Sequence, residues 1–120
     1  MPEAPRLRPA QHTVLATLHG HVMARPAAVF EALAEQLQPA AADAHFTADP
    51  VASLIIVQGD WWYRAELRVV PDDTGSRVEE TIVNVAQRAH WAARIAGRRT
   101  LADADAAFEK LLLRLRQQLE

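Results

Sequence analysis

The chain has no cysteine, so disulfides, thiolate-bound metals and thiol nucleophiles are excluded from its chemistry. It also lacks the run of about eighteen apolar residues that a membrane span needs, and the segment from Met1 to Gln11, with three prolines and two arginines, has no signal-peptide core. These absences together lead us to expect a cytoplasmic chain without a membrane span. Charge of one sign is missing as well: 13 basic residues against 15 acidic ones leave a formal net charge of −2. No overall field draws the chain to nucleic acid or anionic lipid, and we expect no nucleic-acid partner. Internal repeats are absent, and the only biased stretch is the alanine-rich Pro39 to Ala44, which reads as a connector.

What is present fits one globular domain. Half of the 120 residues are hydrophobic and 23% are charged, far from the polar composition of disordered chains. A chain of this length buries roughly two-thirds of its unfolded surface on folding. Residues 1–11 read as a flexible tail and 12–120 as a single domain.

Periodicity supplies the elements. From His12 to Met23, Val14, Ala16, Leu18, Gly20 and Val22 share one face of a strand, with Thr13, Thr17, His19 and His21 on the other. Pro26 suits the first turn of a helix, and Val29, Phe30, Leu33 and Leu37 continue at helical spacing to about Gln38, where Pro39 stops the pattern. Two short strands follow, Ala44 to Ala48 and Ser53 to Val57, closed by turns at Asp49-Pro50 and Gly59-Asp60.

Trp61 to Val70 alternates, placing Trp61, Tyr63, Ala65, Leu67 and Val69 on a core face and Trp62, Arg64, Glu66 and Arg68 toward water. The turn formers Pro71 to Gly75 then return the chain as a partner strand from Arg77 to Val85. With residues 72–75 as the loop, Val69 faces Val78, Leu67 faces Glu80, Ala65 faces Ile82 and Tyr63 faces Asn84; a slip by one residue would swap in Glu79, Thr81, Val83 and Val85. The remainder is helical. Gln87 to Ala96 ends at Gly97, and a last helix opens at Thr100 with Asp103 in a capping-box-like position. Its apolar stripe, Leu101, Ala104, Phe108, Leu111, Leu112, Leu115 and Leu119, needs a flat apolar surface to lie on, and the inner face of the sheet is the one available.

The run Val22 to Leu33 (VMARPAAVFEAL) and the run Gly59 to Arg64 (GDWWYR) leading into a hairpin resemble the strand-to-helix junction and the meander of the START-like superfamily, also called the SRPBCC or polyketide cyclase/dehydrase family. That resemblance implies an α+β helix-grip fold: about five antiparallel strands curved around a long C-terminal helix, with a short helix after strand one. Arg25 before the proline, the lack of a second short helix and the low strand number depart from the family pattern, so any internal cavity should be small. Family members typically hold an apolar ligand between the sheet and the last helix, and some move protons on polyketide-like substrates.

The resemblance therefore directs attention to Trp61, Tyr63, Leu67, Glu80 and Asn84 on the sheet and to Phe108, Leu112 and Leu115 on the helix as the lining of a small-molecule site. The same residues would equally make a packed core. Glu80 is the candidate catalytic group: pointing inward beside Ile82 it would be costly to ionise and could serve as general acid or base with Tyr63 or Asn84, whereas at the open end of the sheet it would simply be hydrated. Three functions remain open: a noncatalytic or sequestering binder of a small apolar molecule, a cyclase/dehydratase-type enzyme, and a protein-interaction module without a cavity. They are separated by whether a cleft exists and by where Glu80 points.

No cofactor is indicated. His19 and His21 share the strand's polar face without any zinc signature, so no metal is expected, and Ser53 and Ser76 have no base beside them in sequence. Arg88, Arg94, Arg98 and Arg99 near Trp91 form a basic cluster suited to phosphate or carboxylate contacts, or to pairing with Glu79, Asp103 or Asp105. An outward Trp62 beside Met23 would mark a homodimer contact.

Overall fold

A computed structural model describes residues 3–40, 44–59 and 61–120. In order they form β1 (Thr13–Val22), α1 (Pro26–Ala40), β2 (His45–Asp49), β3 (Leu54–Gly59), β4 (Tyr63–Asp72), β5 (Gly75–Asn84), α2 (His90–Ala96) and α3 (Arg98–Leu119). The five strands make one antiparallel sheet in the order β1-β5-β4-β3-β2, so the first strand returns beside the last. The expected α+β class is observed: a short helix follows strand one, and the long C-terminal helix packs on the sheet, chiefly against β1.

Both helices present their periodic faces to the same side of the sheet. Val29 and Leu33 of α1 and Phe108, Leu112 and Leu115 of α3 meet Ile55, Leu67, Val69 and Val78 in one buried cluster. Each such side chain removed from water contributes about 1.5–3 kcal/mol. The close approach of α3 depends on Gly20, since a Cβ there would overlap Leu112 Cδ1. Arg116 Nε donates to the His21 carbonyl at 3.0 Å, and Glu120 Oε2 accepts from the Met23 amide at 2.9 Å, tying the end of α3 to the end of β1.

The β4–β5 pairing has Tyr63 opposite Asn84, Ala65 opposite Ile82, Leu67 opposite Glu80 and Val69 opposite Val78. This is the register expected from alternation, although the strands pair up to Asp72 and Gly75 and leave only Asp73 and Thr74 in the turn. Other local expectations are corrected. Trp61 is 50% exposed and Trp62 only 5%, the reverse of the expected facing, because the strand starts at Tyr63 and the two indoles lie in the preceding turn, where alternation does not hold. An outward Trp62 at a homodimer contact is therefore not what the chain has.

Val14 is on the outer face opposite Val83 because the ladder is irregular at Leu15. α1 continues to Ala40, with Pro39 in its last turn. Gly97 does cap α2, but α3 starts directly after it at Arg98 with no side-chain cap, so Thr100 and Asp103 are already inside the helix. The connector at Ala41, Ala42 and Asp43 and the turn residue Asp60 lie outside the described residues.

The outer face of the sheet is covered over β2, β3 and β4 by the N-terminal segment. Thr47 Oγ1 accepts from the Ala4 amide and donates to the Ala4 carbonyl, at 2.9 and 2.8 Å, while Ala4 packs on Leu54 and Ile56. Arg64, fully buried beneath this segment, donates to the carbonyls of Pro5 and Arg6, to Gln58 Oε1 and to Glu66 Oε2, at 2.6 to 3.0 Å. Arg8 grips Glu66 with two bonds, and Arg6 pairs with Asp49.

Candidate functional site

Alternation along β5 turns Val78, Glu80, Ile82 and Asn84 toward the helices. Glu80 therefore sits where α1 and α3 meet over the sheet. Together with Gln36 and Leu37 of α1 and Ala107, Phe108, Leu111 and Arg114 of α3 it lines a cleft of about 190 Å³. Burial raises its carboxyl from the ordinary 4.5 to about 7, and no hydrogen bond or neighbouring charge contributes to or offsets that shift. The nearby Tyr63 hydroxyl is pushed up to about 12, first by burial and then by the Glu80 charge. Gln36 donates to Gln118, at 3.4 Å, but its Oε1 is buried without a partner. The cleft is thus lined by Leu37, Ala107, Phe108 and Leu111 together with Arg114 and two residues, Glu80 and Gln36, whose carboxyl and Oε1 take no hydrogen bond from the protein.

The other sequence-predicted lining residues divide into three groups. Phe108 lines the cleft, and Tyr63, outside its lining, is near enough to feel the Glu80 charge. Leu67, Leu112 and Leu115 are at most 1% exposed and belong to the packed core beneath it. Asn84 and Trp61 are elsewhere. Asn84 is buried, with its amide donating to the His90 carbonyl at 3.1 Å and its Oδ1 accepting from the Ala86 amide at 3.0 Å, so its hydrogen-bonding groups are engaged in holding the start of α2. Trp61 lies outside, in a shallow hollow with Gln87 and Arg88.

Gln36, Ala107 and Arg114 were missed, for lack of any marker separating them from the solvated faces of their helices. Leu37 and Leu111 were visible as members of the apolar stripes, which do not tell a cleft wall from a core contact.

A larger hollow of about 590 Å³ lies along α1 beside the β2–β3 turn, lined by Pro26, Phe30, Ala34, Pro50 and Ser53 with Glu31 and Glu35 at its rim. Both of these carboxylates are exposed, and none of the hollow's groups is held away from water without a partner. Size favours this hollow, but chemistry favours the cleft at Glu80. Among the described residues no group of three His, Asp or Glu is placed to hold a metal ion, and no helix is long and apolar enough to cross a membrane. His19 and His21 lie on the outer face opposite Glu79 and Arg77. No protein-family model, curated protein or solved structure matches this chain.

Proposed function

We propose that the chain is a START-like, noncatalytic binding domain that works in the cytoplasm and takes one small apolar molecule into the cleft between the sheet, α1 and α3. The observation that carries this reading is a small cleft lined by both Glu80 and Gln36, in which the Glu80 carboxyl takes no hydrogen bond from the protein and Gln36 Oε1 is buried without a partner. That leaves hydrogen-bonding capacity unused until a ligand brings it. The ligand fitting this space has a short hydrocarbon body, suited to Leu37, Phe108 and Leu111, and a donor-bearing head such as an amine or alcohol. The volume is below the range of ordinary drug-sized sites, so the molecule is small.

A titration with hexylamine, hexanol and hexanoate, followed by calorimetry, tests this. Amine and alcohol should bind, the amine more strongly as pH rises through about 7 and Glu80 ionises, and hexanoate should be the weakest. Glu80→Gln should abolish the pH dependence of amine binding. Failure of both donor ligands, or stronger binding of hexanoate, would overturn the reading.

The cyclase/dehydratase reading draws support from the carboxyl that titrates near neutrality beside Tyr63. It lacks Asn84 as an assistant, because that side chain is committed to the backbone.

A further inference from the structure

We infer that the end of the molecule formed by α2 and the Trp61 turn is a docking surface for an anionic lipid bilayer. This inference does not depend on the ligand of the cleft. α2 follows β5, and Trp61 and Trp62 lead into β4 at the same end of the sheet, since Tyr63 and Thr13 both stand opposite Asn84. Three large apolar side chains project there: Trp91 is 71% exposed, Ile95 61%, and Trp61 is half exposed. Trp91 and Ile95 are four residues apart, so they share one helix face, while Ala93 and Gly97 turn inward onto Trp62.

The helix is held rather than frayed. His90 Nδ1 donates to the Ala86 carbonyl at 2.8 Å, leaving Nε2 to accept from the Thr13 hydroxyl at 2.8 Å, and Asn84 binds the His90 carbonyl. Ala89 adopts a left-handed conformation at φ 47° to start α2, a strain of roughly 1–2 kcal/mol for a non-glycine residue. The chain thus uses two local bonds, one long-range bond and a strained residue to present two large apolar side chains to solvent.

The charge around them selects the partner. Arg88, Arg94, Arg98 and Arg99 fall between Gln87 and Ala102, a stretch with no acidic residue, while the other nine basic residues of the chain face all fifteen acidic ones. Arg88, Arg98 and Arg99 are exposed, and among the described residues none of them is in an ion pair. Even with Asp60 preceding Trp61 in sequence, a chain that is negative overall therefore has one end where arginines outnumber acidic residues, with exposed tryptophan and isoleucine on it. Indoles settle at the lipid headgroup level, aliphatic side chains enter the acyl boundary, and arginines reach phosphates. Nucleic acid would use the arginines and the indoles, but it offers Ile95 no apolar phase to enter.

Cosedimentation of the full chain with vesicles of phosphatidylcholine alone, or of phosphatidylcholine and phosphatidylglycerol in equal parts, tests the inference. The chain should bind the anionic vesicles at least about tenfold more tightly than the neutral ones and should be released by salt. Trp91→Ala with Ile95→Ser, and separately Arg98→Gln with Arg99→Gln, should each weaken binding about tenfold or more. These positions are exposed, so the melting temperature should stay unchanged in both variants. No binding to anionic vesicles at low salt, or binding undiminished in Trp91→Ala with Ile95→Ser, would overturn the inference. So would tighter retention of a single-stranded RNA oligonucleotide than of vesicles, which would reassign the surface to nucleic acid.

Discussion

The two faces of the sheet each hold a partly buried carboxylate, and the two are driven in opposite directions. On the outer face, burial pushes Glu66 upward, but the hydrogen bonds and charges of Arg8 and Arg64 outweigh it and bring its carboxyl down to about 2. On the inner face, Glu80 meets burial alone and rises to about 7. The two residues lie on neighbouring strands, Glu66 opposite Thr81 and Glu80 opposite Leu67. Desolvation acts in the same sense on both, so what decides protonation is whether a cation crosses over the carboxylate. The outer face has the N-terminal segment to supply Arg8 and the backbone carbonyls that complete Arg64. The inner face has hydrocarbon, Gln36 and an Arg114 that lines the cleft without bonding to Glu80.

The largest expected effect is on the outer face. Arg64→Ala removes a fully buried cation that gives hydrogen bonds to four acceptors, on Pro5, Arg6, Gln58 and Glu66, and it should cost about 4 kcal/mol by urea denaturation. In a chain lacking residues 1–8 the same substitution should cost much less, because the partners it serves are gone. Equal costs in both backgrounds would show that the segment does not hold the network together.

Next in size is Glu80→Gln. Folded Glu80 keeps its proton to about pH 7, while the unfolded side chain releases it near 4.5. The native state therefore carries no penalty below pH 4.5, an increasing one between 4.5 and 7, and a constant one above. The substitution should stabilise the chain by about 2–3 kcal/mol at pH 8 and by almost nothing at pH 4. A gain independent of pH would show that Glu80 is not raised.

Glu66 has the opposite dependence: its stabilisation is full above 4.5 and is lost as pH falls toward 2. Glu66→Gln should therefore flatten the acid limb of the stability curve. Its side chain keeps 17% of its surface exposed, so solvent reaches the arginine pairs only in part and their contribution should be about 1–2 kcal/mol. The smallest effect belongs to Glu79, next to Glu80 in sequence but on the exposed side, where it pairs with Arg77 at 3.0 Å. Glu79→Gln should change stability by less than about 0.5 kcal/mol, and a larger effect would show that facing is not what separates these carboxylates.

Much of the inner face was legible from residue order. Alternation from Tyr63 to Val70 and from Arg77 to Val85, joined by turn formers, places Glu80 inward, and the helical stripe from Leu101 to Leu119 places Phe108, Leu112 and Leu115 over the sheet. The outer face was not legible. Arg64 alternates with core positions and so reads as solvated, yet it is buried because Pro5 and Arg6, nearly sixty residues away in sequence, lie across it. The Trp61–Trp62 pair was misread for a different reason: two-residue periodicity is a property of extended backbone, and those residues precede the strand.

The sequence by itself therefore determined the α+β class, the order of elements and the facing of residues within regular strands and helices, since these follow from local backbone geometry and the burial of apolar side chains. Only the tertiary structure decided which polar groups have partners. That depends on contacts between distant segments: the N-terminal residues over Arg64 and Glu66, and α1 against α3 around Glu80. The electrostatic energy of a partly buried charge changes by several kcal/mol with a single neighbour, so the site's chemistry was set by long-range packing that periodicity does not encode.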